Sequence, residues 1–233
     1  MSSDLPFISK QDLQNECLAL FQKVTEASQQ ADKNFNKNRI DAFSALFECG
    51  LRRISLKEWI KSEKQRQLQK TLQNEIGYFH QKVLGYIKGC QDLGVGNLID
   101  FACPSKKIIA EIKNKYNTVK GSDQIVTYDA LEKCLKMPEY KGFTGYYVTM
   151  IPKKRGIFPF TPSDNKTHHR RPENPHILAI DGISFYHLLT GDENALFKIY
   201  KEIPDILNAF CPNTFSNIEE EELFLKNFDA SYK

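Results

Sequence analysis

Three residues in the stretch Leu98-Ile-Asp-Phe-Ala-Cys-Pro-Ser-Lys-Lys-Ile-Ile-Ala-Glu-Ile-Lys113 have types and spacing that could do chemistry together. Side chains alternate along a strand, so a strand over Lys107 to Lys113 puts Ile109, Glu111 and Lys113 on one face and Ile108, Ala110 and Ile112 on the other. A carboxylate and an ammonium then sit side by side. Asp100 lies eleven residues before Glu111, and a hairpin through Pro104 and Ser105 would bring it alongside. Two carboxylates can hold Mg²⁺, which keeps most of its water and takes phosphate oxygens as further ligands. Such an ion lowers the pKa of a bound water and offsets charge on a phosphate, while a lysine orients the nucleophile or stabilises the transition state. Phosphodiester hydrolysis is the natural reaction of this trio. Taken alone, Glu-x-Lys in a strand more often decorates a solvent face, and Asp100 at this spacing narrows that margin.

Elements on both sides must position these groups. From Lys10 to about Cys90 the chain has almost no Gly or Pro, and its apolar residues fall at helical intervals. Leu13, Cys17, Leu20, Phe21 and Val24 form one stripe, and Phe43, Leu46, Phe47 and Leu51 a second. Ser55-Leu-Lys-Glu58 fits a capping box ahead of Trp59 and a long helix whose Leu72, Ile76, Phe79, Val83 and Ile87 recur every three or four residues. The polar run Ala31 to Asn38 reads as a loop. After Gly89 the texture changes, with short apolar runs at Leu98 to Phe101, Lys107 to Ile112, Gly145 to Ile151 and Ile177 to Ile180 that read as strands. Helical spacing returns over Gln124 to Leu135, and over Asn194 to Phe210 with an interruption expected at Pro204. Lys153 to Pro175 lacks periodicity and reads as a long loop of a length that is more often functional than idle. The expected fold is therefore α/β (α+β): a helical part over 1–90, then a mixed central sheet flanked by helices over 91–233, together one folded unit.

Composition narrows the class. In 233 residues, 41% hydrophobic and 26% charged side chains suffice for a buried core and exclude disordered, collagenous and coiled-coil chains. No run reaches the ~18 apolar residues that span a bilayer. Met1-Ser-Ser-Asp4 carries neither a basic nor an apolar leader region, so the chain is expected to stay in the cytosol. Six widely spaced cysteines, without Cys-x-x-Cys, argue against a disulfide scaffold or a zinc site. A net charge of +3 is too small to argue for a polyanion partner; only its distribution could.

Asp100, ten residues, then Glu111-Ile-Lys113 between apolar flanks resembles the bipartite motif of the PD-(D/E)xK nuclease superfamily, with Ile99 in place of the usual Pro. Asn114 to Asp123, Ile151-Pro-Lys-Lys, Pro159 to Asn165 and Ile180 to Tyr186 extend the resemblance to type II restriction endonucleases, in particular the bacterial family whose members cut at GGNCC. The likeness runs from about Asn97 to Gly191, and an ordered set of blocks is more specific than the motif alone.

The resemblance implies that Asp100 and Glu111 bind the metal and that Lys113 is the catalytic lysine. In relatives of this kind a helical carboxylate often joins the site or its surroundings. Glu75 is the candidate here, against the plainer reading of an exposed helical Glu. Asp123 and Asp181 are kept as structural or DNA-facing groups. Lys115, Asn117, Thr118, Lys120 and Ser122 suit phosphate contacts, as do Lys153, Lys154 and Arg155. Arg170 and Arg171 could reach guanine O6 and N7, bind phosphate, or merely keep their loop soluble. The adjacent His168 and His169 diverge in an extended loop and make a poor metal pair. Tyr146, Tyr147, Phe158, Phe160, Phe185 and Tyr186 read mostly as core.

The expected activity is magnesium-dependent cleavage of both strands of double-stranded DNA at a short palindromic G·C-rich site. Water attack would leave a 5′ phosphate and a 3′ hydroxyl, in the cytoplasm of a bacterial cell, with no nucleotide cofactor and no membrane partner. A palindrome calls for a two-fold homodimer, whose interface or DNA-clasping arm the helical part would supply. Two alternatives stand: a structure-directed repair or recombination nuclease on the same core, and a non-catalytic DNA-binding or interaction module.

Overall fold

The structure is a computed structural model that describes residues 5–37, 39–94, 96–117, 121–164, 169–212, 214 and 218–232. The helices among them are α1 (Lys10–Gln29), α2 (Ala31–Asn34), α3 (Ala42–Arg52), α4 (Leu56–Gly85), α5 (Gly121–Leu135), α6 (Gly182–Thr190), α7 (Ala195–Asn208) and α8 (Ile218–Tyr232). The strands are β1 (Gln91–Asp92), β2 (Phe101–Cys103), β3 (Ile108–Lys115), β4 (Thr144–Ile151), β5 (Ile157–Pro159) and β6 (Ile177–Asp181). They form two compact units, 18–78 and the described parts of Met1–Cys17 with Phe79–Lys233. This division differs from a cut near residue 90: the end of α4 and the start of α1 go with the sheet.

Unit 18–78 is all-helical. Asp41 caps α3, its carboxylate accepting from the backbone N–H groups of Phe43 (2.9 Å) and Ser44 (3.2 Å). The capping box forms as its residues require: Ser55 N–H donates to Glu58 Oε2 at 2.8 Å and Glu58 N–H to Ser55 Oγ at 3.2 Å. The run 31–37 is helical rather than loop, α2 followed by a 3-10 turn over Phe35–Lys37, and Asn38 lies outside the described residues.

The second unit is built on a six-stranded sheet of order β1-β2-β3-β4-β6-β5. β3, β4 and β6 run parallel, and β1, β2 and β5 pair antiparallel. A parallel pair needs a crossover, and α5 supplies it between β3 and β4. Strand β2 starts later than its apolar run suggests, at Phe101, so Asp100 stands just ahead of it. One face of the sheet packs Ala102, Ile109, Tyr147, Ile177 and Ala179 against Tyr128, Leu131 and Cys134 of α5. On the other, Phe185 of α6 meets the rings of Phe101 and Tyr146.

Ile180-Asp-Gly-Ile-Ser184 has a structural explanation. Asp181 caps α6, accepting from Ser184 N–H at 2.9 Å and Ser184 Oγ at 2.6 Å, and also holds Gly156 N–H at 2.7 Å. A Cβ on Gly182 would stand 2.7 Å from the Met150 carbonyl oxygen, so only glycine lets α6 start so close to β4. Pro204 lies inside α7 without interrupting it; Leu196, Ile199 and Ile206, buried on either side, hold the helix together. The loop 153–175 contains the short edge strand β5, whose closing Pro159 is a residue that only an edge tolerates. Cys90 and Cys103 are bridged, and the other four cysteines are free, so sulfur pins one corner and does not scaffold the fold. No helix among the described residues is long and apolar enough to cross a membrane.

Candidate active site

The antiparallel register of β2 and β3 pairs Phe101 with Ala110 and Cys103 with Ile108 across the 3-10 turn Pro104–Lys106. Continued by one residue, it sets Asp100 opposite Glu111, as the hairpin reading required; Asp100 N–H donates to Ala110 O at 3.1 Å. Asp100 Oδ2 also accepts from Ile112 N–H at 2.8 Å. Its carboxyl and that of Glu111 are close enough to act on each other electrostatically, and Glu111 Oε1 holds Lys113 Nζ at 2.5 Å. The Glu111 and Lys113 side chains are only 17% and 29% exposed. This pair does not decorate a solvent face.

Electrostatics follow from that crowding. Burial pushes the Asp100 and Glu111 carboxyls above their ordinary range, and the charge of Asp100 adds to the shift of Glu111. Burial alone would lower Lys113, but the charges of Glu111 and Asp100 outweigh it and the ammonium is held more firmly. Two carboxylates that repel in a half-buried corner, with hard oxygen donors and one cation already beside them, fit a divalent ion of the magnesium type.

Neighbouring strands complete the corner. Register places Tyr147 beside Glu111 and Thr149 beside Lys113. Tyr147 stacks on Phe160 at 4.4 Å between centroids. Its hydroxyl is buried near Thr149 and Gln124 without the geometry of a hydrogen bond to either. Tyr147, Thr149, Gln124 and Phe160 line a neighbouring cleft of about 410 Å³, with Tyr116, Phe158, Lys153, Lys154 and Arg170 at its walls. Asp92 of β1 also bears on the site: it pairs with Lys82 at 2.6 Å, and its charge adds to the upward shift of Asp100. Neither Tyr147 nor Asp92 had a signal in linear spacing, because only strand register brings them here.

Other expected site residues fall in several places. Lys115 is exposed at the end of β3, on the face of Glu111 and Lys113. Asn117 is exposed in the following turn, and Ser122 sits in the first turn of α5, its hydroxyl on Asp123. Thr118, Lys120 and His168 lie outside the described residues. Lys153, Lys154 and Arg170 share the cleft, whereas Arg155 lines a separate pocket with His187 and Glu193. Arg171 is held bidentately by Asp129, both contacts at 2.7 Å. Glu75 belongs to the helical unit, where its carboxylate receives Lys23 Nζ at 3.0 Å.

A mixed sheet flanked by helices, carrying two carboxylates and a lysine at the β2–β3 hairpin, defines a restriction-endonuclease-like core. The chain belongs to the Eco47II restriction endonuclease family, whose match covers residues 5–212. It is 39% identical over 237 residues to the type II restriction enzyme Eco47II of Escherichia coli, covering 98% of each chain. To the type II restriction enzyme Sau96I of Staphylococcus aureus it is 33% identical over 211 residues, covering 88% of this chain and 80% of the relative. The protein is thus an enzyme of the restriction endonuclease class.

Proposed function

We propose that the protein is a type II site-specific deoxyribonuclease that hydrolyses both strands at a short palindromic G·C-rich site, for which its sequence resemblance suggests GGNCC. The observation that carries this reading is the juxtaposition of Asp100, Glu111 and Lys113 in one half-buried corner. Asp100 and Glu111 would hold Mg²⁺, which when bound lowers the pKa of a water and offsets phosphate charge. Lys113, kept as an ammonium, lies where it can orient the attacking water and face the phosphate. Asp100 is fixed by Ile112 N–H, so the carboxylate pair needs little rearrangement to receive its ligand. The water adds to phosphorus and the bond to the 3′ oxygen breaks, leaving a 5′ phosphate and a 3′ hydroxyl. Lys153, Lys154 and Arg170 of the neighbouring cleft, with Lys115 at the end of β3, would bind the duplex backbone or its base edges. A palindrome offers two equivalent scissile bonds and each chain has one such corner, so the working form is a homodimer in the bacterial cytoplasm, with no nucleotide cofactor.

The test is digestion of unmethylated phage DNA with and without Mg²⁺, beside Lys113→Ala and Glu111→Ala proteins, followed by sequencing of the ends. Discrete magnesium-dependent fragments with a shared terminal sequence, absent from both variants, are expected. A smear would favour a structure-directed nuclease. Salt-sensitive binding without cutting, unchanged by Glu111→Ala, would favour a binding module.

A further inference from the structure

Helix α3 buries Ala45 and leaves its large apolar side chains uncovered. Toward α4 it turns polar groups: Glu48 accepts from Trp59 Nε1 and from Arg52 Nη1, each at 2.8 Å, and Arg52 Nη2 donates to Ser62 Oγ at 3.2 Å. Away from that contact it shows Phe43 (74% exposed), Leu46 (60%), Phe47 (72%) and Leu51 (85%), spaced i, i+3, i+4 and i+8 along one stripe. Gly50 lies on the same stripe, and a Cβ there would meet nothing within 4 Å. At roughly 150–250 Å² for each large ring, with the leucines added, this face offers on the order of 500 Å² of apolar surface. A lone soluble chain rarely shows more than ~300–600 Å² in one patch, and a standard interface takes about 800 Å² per partner with an apolar centre and a polar rim.

We infer that α3 is the surface through which two copies of this chain meet, packed antiparallel about a two-fold axis that passes by Phe47. The stripe is centred there: Phe43 and Leu51 are each four residues from Phe47, so Phe43 covers the partner subunit's Leu51 and Phe47 covers its own counterpart. The charges fall into the same register. Asp41 caps the N-terminal end, its carboxyl held low by the N–H and hydroxyl of Ser44 and the N–H of Phe43. Arg53 closes the C-terminal end in the left-handed conformation and makes no ion pair with any described residue. Antiparallel pairing brings each Asp41 to the partner subunit's Arg53, and opposes the helix dipoles favourably. A parallel pairing would set like charges together. Gly50 leaves bare backbone against which a partner ring can close. The inference names the surface behind the proposed homodimer and depends on that reading only for the existence of a dimer.

Sedimentation equilibrium of the full chain tests it without reference to cleavage, so an inactive protein would sink the nuclease reading and leave this one standing. Wild type should weigh twice its 26.9 kDa. Because position 47 faces itself across the axis, Phe47→Glu and Phe47→Lys should each sediment as monomers with unchanged helical circular dichroism, and their equimolar mixture should recover the dimer mass. Independently of position 47, Phe43→Glu should be monomeric and Phe43→Glu with Leu51→Lys in one chain dimeric. A monomeric wild type, single variants that stay dimeric, or a mixture that stays monomeric would each overturn the inference; the first would mean that the face is covered by other means.

Discussion

Asp100 is the residue at which charge and shape can be separated most cleanly. Asn in its place keeps an oxygen for Ile112 N–H and leaves the Glu111–Lys113 pair intact, while it removes one of two charges that burial and mutual repulsion disfavour. The Asp100→Asn protein should therefore melt no lower than wild type without metal, lose cleavage by at least about a thousandfold, and lose the stabilisation that Mg²⁺ confers. At a hundredfold excess over its Kd, an ion that binds only the folded chain adds about 2.7 kcal/mol. That corresponds to a rise of roughly 5–10 °C in a chain of this size. Scanning fluorimetry across a Mg²⁺ series should show it for wild type and not for Asp100→Asn; equal shifts in both would overturn the proposed metal role of Asp100. This trio was legible because strand alternation and a tight hairpin are local rules. Tyr147 and Asp92 were not, since their place beside Glu111 and Asp100 depends on which strand pairs with which.

At the scale of elements, His80 ties α4 to α6. It is buried, its Nδ1 lies 3.3 Å from the Tyr186 hydroxyl, and burial lowers its pKa to about 4. The unfolded chain takes up a proton near pH 6.5 and the folded chain does not, so the neutral ring contributes stability above that pH that is lost as pH falls toward 4. Between pH 7 and pH 5 the loss is about 2 kcal/mol. Urea unfolding at both pH values should show it as a difference between wild type and His80→Phe, whose ring cannot charge; the raised carboxyls of Asp100 and Glu111 act in the opposite sense but cancel in that comparison. A slope shared by both proteins would locate the acid sensitivity elsewhere. The elements themselves were largely readable: periodicity marked α4, α5, β3, β4 and β6. Where reading failed, tertiary packing prevailed over local signals, as when buried neighbours carry α7 through Pro204 or a sheet edge draws β5 out of a loop.

For the whole molecule, a net charge of +3 says little, and the grouping of charge around the cleft says more. Lys153, Lys154 and Arg170 line it together, while Arg171, equally basic in sequence, is committed to Asp129. No linear pattern distinguishes two adjacent arginines, because the distinction is made by where α5 places an acid. The two should differ in binding. Measured by fluorescence anisotropy without Mg²⁺, the affinity for a duplex carrying the site should fall linearly in log–log form with salt. Each of Lys153→Ala and Lys154→Ala should reduce that slope by about 0.9, the signature of one lost phosphate contact. Arg171→Ala should change slope and affinity little, since the guanidinium it removes is already neutralised. Arg170→Ala has two separable outcomes. A uniform loss on all sequences with a slope change near one marks a phosphate contact, whereas a loss of about 1–3 kcal/mol confined to the cognate duplex marks a base contact. If Arg171→Ala weakens binding more than Arg170→Ala does, the Asp129 pair must open on DNA, and the charge distribution of the free protein is not the one the duplex meets.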